Sequence, residues 1–258
     1  MHTAGRWVFL LATVLLTGCA TRPTDPDELK IYQQNNDPLE PMNRAIFRFN
    51  MTADEYVLEP VARGYRQVAP DSVRSGVRHF FANLKQPVYG ANALLQGDFE
   101  SAWHITKRFA ANTFWGFFGV FDTATHMDIP VIKRDFGQTL AVWGVHSGGP
   151  YLVLPFWGSS NLRDTAGLCV DYFLQPLDYL EEKWPVTITR WTLDGIQKRE
   201  SALDLVDSVK KSSTDLYATM RTMTTQNRQK EINTVLGKPQ TDIQAYDFDF
   251  PDDDSDEE

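Results

Sequence analysis

Phe109-Ala110-Ala111-Asn112-Thr113-Phe114-Trp115-Gly116-Phe117-Phe118-Gly119-Val120-Phe121 contains no charged residue, and its apolar side chains pass nearly all round a helix instead of along one stripe. Read as a helix it is about 20 Å long, too short to cross a bilayer core but long enough to enter one leaflet. A second uncharged stretch follows, Phe136 to Leu162, with 27 residues and no Asp, Glu, Lys or Arg. Gly137, Gly144, Gly148, Gly149 and Gly158, together with Pro150 and Pro155, break any continuous helix there. A re-entrant or interfacial element beside a cavity therefore fits better than a simple span, because non-helical backbone survives at membrane depth only where protein or water satisfies it. Trp143, Tyr151, Phe156 and Trp157 are side-chain types that settle at headgroup level. The alternative is that both stretches are ordinary aromatic core.

On either side the chain reads as amphipathic helix. Asp37-Pro38-Leu39-Glu40-Pro41 is a helix start, with Asp37 available as a cap and proline tolerated in the first turn. Met42, Ala45, Ile46, Phe49, Ala53, Tyr56 and Val57 then recur at three and four residues, with Arg44 and Arg48 on another face. Those arginines are available to headgroups or to acidic partners, or simply form a solvated face. Val73, Val77, Phe80, Phe81 and Leu84 repeat the pattern, and a third helix starts at Asp98 and runs through Trp103, Phe109 and Phe114. Two more helices are expected over roughly Pro185 to Lys211 and Thr214 to Leu236, the last stopped by Gly237 and Pro239.

The ends differ from this body. Arg6 followed by the apolar run Trp7 to Leu16 is a signal peptide of residues 1–18. It closes in Leu16-Thr17-Gly18-Cys19, which resembles the lipobox of bacterial lipoprotein precursors and implies a lipidated Cys19 as first mature residue. The alternative is a plain signal peptide with a cysteine near its cleavage site. Several acyl chains suffice for stable anchoring, at about 0.8 kcal/mol per buried CH2. Ala20, in place of the aspartate that the lipoprotein pattern reserves for inner-membrane retention, implies the outer membrane. Residues 19–36 read as a flexible tether, 37–236 as the folded domain and 237–258 as a disordered tail. From Asp247 onward that tail carries eight acidic and no basic residues.

Without the signal and the segment Asp247 to Glu258 the chain has 24 basic against 26 acidic residues, so the clustered basic excess of a nucleic-acid binder is missing. Cys169 is the only other cysteine, which leaves no intramolecular disulfide once Cys19 is acylated. The mature histidines, His79, His104, His126 and His146, show no zinc-type pairing, so neither metal nor cofactor is expected. Gly144-Val145-His146-Ser147-Gly148-Gly149 is the nearest approach to a serine-hydrolase elbow, but Val145 stands where G-x-S-x-G needs glycine.

Three blocks resemble the MlaA (VacJ) family of outer-membrane phospholipid-transport lipoproteins. They are Asp37 to Asn50 (DPLEPMNRAIFRFN), Arg108 to Thr113 leading to Gly119-Val120-Phe121-Asp122, and Phe136 to Leu140 continued by Gly148 to Phe156 (GGPYLVLPF) and Leu162-Arg163-Asp164. Arg199 to Asp204 is a weaker fourth. The resemblance implies an all-α, ring-like bundle of amphipathic helices in the inner leaflet of the outer membrane, around a central channel, with no enzymatic activity. Its implied partners are phospholipids, an outer-membrane porin trimer and a soluble periplasmic carrier of the MlaC type. The residues expected to line the channel or enter the membrane are Met42, Asn43, Phe109, Phe114, Trp115, Phe117, Phe118, Trp143, Gly144, Gly148, Gly149, Pro150, Tyr151 and Phe156. The rival readings are a phospholipase-type hydrolase using His146 and Ser147, and a structural lipoprotein that braces a porin.

Overall fold

The computed structural model describes residues 35–175 and 183–238, with 23–26, 29 and 32 before them. The signal peptide, Cys19 and the acidic tail lie outside the described residues. The body is mostly helical, as the periodicity indicates. Helix α1 (Glu40–Ala53) runs through a π-helical turn (Asp54–Leu58) into α2 (Glu59–Val68). Pro60, which has no N–H to return to the preceding turn, stands at the join. Pro70 then separates α2 from the long α3 (Asp71–Leu95). Gly97, at φ +75°, closes α3, and Asp98 caps α4 (Phe99–Phe114) by accepting from the Ser101 amide. The two helices form an antiparallel pair around Ala93, Ala102 and Ile105, small enough at two of three positions to bring the backbones close.

Asp135 caps the short α5 (Phe136–Val142), and an antiparallel hairpin follows, β1 (Tyr151–Leu154) with β2 (Gly158–Asn161), Tyr151 opposite Asn161. The Pro155-Phe156-Trp157-Gly158 turn needs left-handed backbone at Phe156 (φ +65°) and Gly158 (φ +82°). Asn161 caps α6 (Leu162–Leu174). Helices α5 and α6 cross where two glycines meet: a Cβ on Gly167 would lie 2.4 Å from the Gly137 nitrogen, so no larger residue fits without parting them. The last helices among the described residues are α7 (Lys183–Ser201), α8 (Leu203–Ser212) and α9 (Leu216–Val235), the last capped by Asp215.

Four local expectations are corrected. The apolar segment 109–121 is helical only to Phe114; residues 115–120 turn back on themselves. The glycine-broken segment holds a β-hairpin. Asp37 is not a helix cap but an interior carboxylate, accepting from Asn43 (2.8 Å), Arg221 (2.9 Å) and Tyr217. The helix expected over Pro185 to Lys211 is broken at Ala202, where the Ser201 hydroxyl bonds back to the Gln197 carbonyl and Leu203 turns fully inward.

Buried polar groups share the interior with a small apolar core, and large aromatics lie outside it. Asn43, Asn83, Gln86, Asn92, Arg108, Asn112, Gln138, Thr139, Arg163 and Glu200 are buried, while Phe99, Trp103, Phe114, Trp115, Phe117, Phe118, Phe121, Phe156 and Phe173 are exposed. Large aromatics exposed in this number mark contact with a membrane or a partner. Among the described residues no helix is long and apolar enough to cross a membrane.

Candidate functional site

The end of α4 is built to hold aromatics outward. Phe117 (φ +52°), Phe118 (φ +59°) and Gly119 (φ +93°) are three successive left-handed residues. For the two phenylalanines this backbone costs roughly 1–2 kcal/mol each. Beneath the turn lies a buried polar clasp. Arg108 pairs with Asp122 and donates to the Ile129 carbonyl (2.7 Å) and Thr125 Oγ1 (3.0 Å). The Asn112 amide donates to Asp122 (2.9 Å), and its oxygen accepts from the Ala124 nitrogen (2.8 Å). The Gly119 nitrogen returns to the Asn112 carbonyl (2.8 Å), and a Cβ on Gly119 would meet Asn83 at 2.4 Å. The result leaves Phe114, Trp115, Phe117, Phe118 and Phe121 exposed, in edge-to-face pairs Phe114–Trp115 and Phe117–Phe118. Phe109, one turn earlier, is half-buried and lines a groove of about 520 Å³ between α3 and α4, with Leu94, Phe99 and Trp103.

Helix α1 packs against the hairpin. Asn43, fully buried, donates to the Tyr151 carbonyl (3.0 Å) and accepts from the Val153 nitrogen (2.9 Å). Two turns on, Asn50 donates to the Leu154 carbonyl (2.9 Å) and accepts from the Phe156 nitrogen (2.9 Å). On the edge of β1 away from β2 the Asn36 carbonyl takes the Tyr151 nitrogen (2.8 Å) and the Asn43 amide takes the place of a third strand, which satisfies groups that burial would otherwise leave costly. Met42 is half-buried beside Asn43. Phe156 is exposed and packs edge-to-face on Phe49 at 5.4 Å. Arg44 takes acidic partners, Glu40 and Asp215, and stacks on Tyr217.

Behind the hairpin an open cavity of about 610 Å³ lies between β1, β2, α6, α9 and the start of α5. Gly148, Gly149 and Tyr151 from the expected set line it, with Trp157, Asp135, Arg163, Asp164, Asp171, Arg228 and Glu231. Pro150 is half-buried in the same strand-entry loop; Trp143 and Gly144 are exposed before it. Trp143 donates to the Leu95 carbonyl at 3.0 Å, which ties α5 to the end of α3. Tyr151, expected at headgroup level, is instead only 6% exposed, packed with Val153 and Tyr217 and hydrogen-bonded to Ser159.

The charged lining was not assigned a role from sequence. Arg228 holds Asp135 through both nitrogens (2.7 Å each) and Asp164 through Nε (2.9 Å) and Nη2 (3.0 Å). Burial works to raise the Asp164 carboxyl, but hydrogen bonds from Arg228 and Arg163 outweigh it and hold the group below its ordinary range. Asp171 goes the other way. Burial pushes it up to about 6, against the Phe136 nitrogen and Asn92 amide that hydrogen-bond it. The only sequence signal for any of these four was Leu162-Arg163-Asp164, which carries the resemblance without announcing a function. His146 and Ser147 lie exposed in the loop, where the Ser147 hydroxyl accepts from the Gly149 nitrogen (3.2 Å). Among the described residues no cluster of three His, Cys, Asp or Glu could hold a metal ion.

The profile of the MlaA lipoprotein family matches residues 35–231, more than half of the chain and every element just described. The chain belongs to the MlaA lipoprotein family. It is 40% identical over 217 residues to the intermembrane phospholipid transport system lipoprotein MlaA of Escherichia coli K12, with 82% of each chain covered. It is 32% identical over 232 residues to the Haemophilus influenzae protein of the same name, covering 87% of this chain and 88% of the relative. An uncharacterised Rickettsia bellii protein is 36% identical over 197 residues, with 76% of each covered. A similar solved chain comes from work on the structural basis for maintenance of bacterial outer membrane lipid asymmetry. It shares 34% identity at a TM-score of 0.67, across 76% of this chain and 99% of that one.

Proposed function

We propose that this lipoprotein removes mislocalised phospholipid from the outer leaflet of the outer membrane and passes it to a periplasmic carrier of the MlaC type, working beside a porin trimer. Retrograde transport of this kind keeps the outer membrane asymmetric. The observation that carries the reading is the number of large aromatics left outside a body that buries amides and ion pairs. A phospholipid headgroup does not cross hydrocarbon unaided, because burying an unpaired charge costs many kcal/mol. A ring with an apolar rim and a polar passage removes that barrier while its rim stays in acyl chains.

In this reading Cys19 anchors the chain in the periplasmic leaflet, and the turn carrying Phe114, Trp115, Phe117 and Phe118 embeds the ring. The cavity bounded by Gly148, Gly149 and Tyr151 belongs to the channel, whose opening the Asn43-clasped hairpin controls, with Gly144 and Pro150 in the loop that moves. The reading assigns no covalent chemistry to His146 or Ser147. The family relation and the relatives' phospholipid-transport names support it. Its test is outer-leaflet phospholipid in a strain lacking the gene. Accumulation, reversed by the intact gene, is expected; normal surface asymmetry would favour a porin-bracing role instead.

A further inference from the structure

The cavity behind the hairpin carries uneven charge. Asp135, Asp164, Asp171 and Glu231 face it against Arg163 and Arg228. An ionised carboxylate offers about four acceptor sites. Asp164 fills its own with the Asn161 amide (2.6 Å), Arg163 Nε (2.9 Å), Arg228 Nε (2.9 Å) and Arg228 Nη2 (3.0 Å). Asp135 has the Arg228 fork on both oxygens and the Gln138 nitrogen at 2.8 Å. Glu231 takes Arg228 Nη1 at 2.5 Å.

Asp171 is different. Its two donors are neutral, the Phe136 nitrogen on one oxygen (3.0 Å) and the Asn92 amide on the other (2.7 Å), and among the described residues no ion pair reaches it. About half its acceptor capacity stays open. Arg228, the cation whose charge acts on Asp171, is fully committed: it has five N–H donors, and Asp135, Asp164 and Glu231 take all five. An anionic group entering the cavity finds no spare donor on that guanidinium, whereas a cationic one finds a carboxylate with no direct ion pair. Trp157 lines the same space, held edge-to-face on Trp191 at 5.2 Å, and an indole face attracts an ammonium.

We propose that this cavity receives a phospholipid headgroup bearing an ammonium group, with the Asp171 carboxylate as its ionic partner and Trp157 beside it. The proposal rests on the transport reading above and names the lipid class that reading leaves open. The charged groups that share the cavity with Asp171 are Asp135 from the start of α5, Arg163 and Asp164 on its own helix, and Arg228 and Glu231 from α9; α3 supplies only the Asn92 amide. Asp135 raises its proton affinity and Arg228 lowers it.

The test is native mass spectrometry of the full-length lipoprotein in detergent, mixed with equimolar dioleoyl phosphatidylethanolamine and dioleoyl phosphatidylglycerol. At pH 7.5 the ethanolamine lipid is expected to be retained about fivefold to tenfold over the glycerol lipid, the size of one charge-assisted contact. Asp171→Asn is expected to bring that ratio close to one while lipid is still retained. The unmutated protein supplies a second measurement: at pH 4.5, below the titration of Asp171, its ratio falls as well, although neither headgroup changes charge. Equal retention at pH 7.5, a glycerol-lipid preference, or a preference that survives both Asp171→Asn and pH 4.5 would overturn the proposal. So would retention of neither lipid. Failure of the transport reading itself is read separately, from the surface phospholipid of the deletion strain.

Discussion

Asn43 and Asn50, two helical turns apart on α1, each fasten a side-chain amide to the hairpin, Asn43 donating to the Tyr151 carbonyl at the start of β1 and Asn50 to the Leu154 carbonyl at its end. The hairpin that walls the cavity is thus fastened to α1 by two residues. Removing Asn43 strands the Val153 nitrogen and the Tyr151 carbonyl and takes a donor from buried Asp37. Each buried group left unpaired costs about 1–3 kcal/mol. Asn43→Ala is therefore expected to lower the melting temperature by far more than Asn50→Ala, since the Phe156 nitrogen that Asn50 serves is at an exposed turn. Thermal melts of the two variants in detergent check the ranking; equal losses would refute it.

Arg108 and Asp122 form an ion pair with side chains 4% and 9% exposed. Breaking such a pair from one side leaves a buried charge uncompensated, at about 3–5 kcal/mol. Arg108→Met is expected to unfold at much lower urea than the parent. The double variant Arg108→Met with Asp122→Leu should recover part of the loss, because no bare charge remains. A double variant worse than both singles would show that the hydrogen bonds to Ile129 and Thr125 matter more than the charge.

The left-handed turn separates stability from membrane contact. Phe118→Gly relieves a backbone conformation that costs an aromatic residue roughly 1–2 kcal/mol and removes an exposed ring. It should raise or hold the melting temperature in detergent, yet weaken the membrane retention of a Cys19→Ala protein. A fall in melting temperature would mean that the ring is held by the body and not by lipid.

Asp171 gives a pH dependence with a definite sign. Its carboxyl is raised from 3.8 to about 6 in the folded chain, so the folded state binds the proton more tightly. Its contribution to stability is complete below about pH 4 and lost as pH rises through 6, on the order of 3 kcal/mol. Asp171→Asn stays neutral throughout. Its stability relative to the parent should climb by that order between pH 4 and pH 7.5, as read by urea unfolding at each pH. A constant difference would place the native carboxyl in its ordinary range.

Much of this architecture is legible in the sequence, because helices announce themselves locally. The three-and-four spacing of Val73, Val77, Phe80, Phe81 and Leu84 lies in α3, and Asp98 caps α4 as an aspartate before an apolar run should. What escaped depends on distance in the chain. Asp37 reads as a cap until Tyr217 and Arg221, some 180 residues away, are seen to claim it. Four residues of β1 flanked by glycines are too few to establish a period, and their pairing is completed by asparagines on a helix. The 109–121 segment has helical composition to its end, but Gly116 and Gly119, pressed on Phe121 and Asn83, reverse it. Within the candidate site, Gly148, Gly149 and Tyr151 could be picked out because they fall in an uncharged block. Arg228 and Asp171 could not, since the aspartates that Arg228 holds lie 64 and 93 residues away and the partners of Asp171 35 and 79.

The most direct test of half-embedding is a photo-crosslinking residue at Phe117 in cells, compared with one at Lys198, an exposed position on α7. Phospholipid adducts at 117 and none at 198 are expected. No lipid adduct at 117, or equal yields at both positions, would contradict the placement of the aromatic turn in acyl chains.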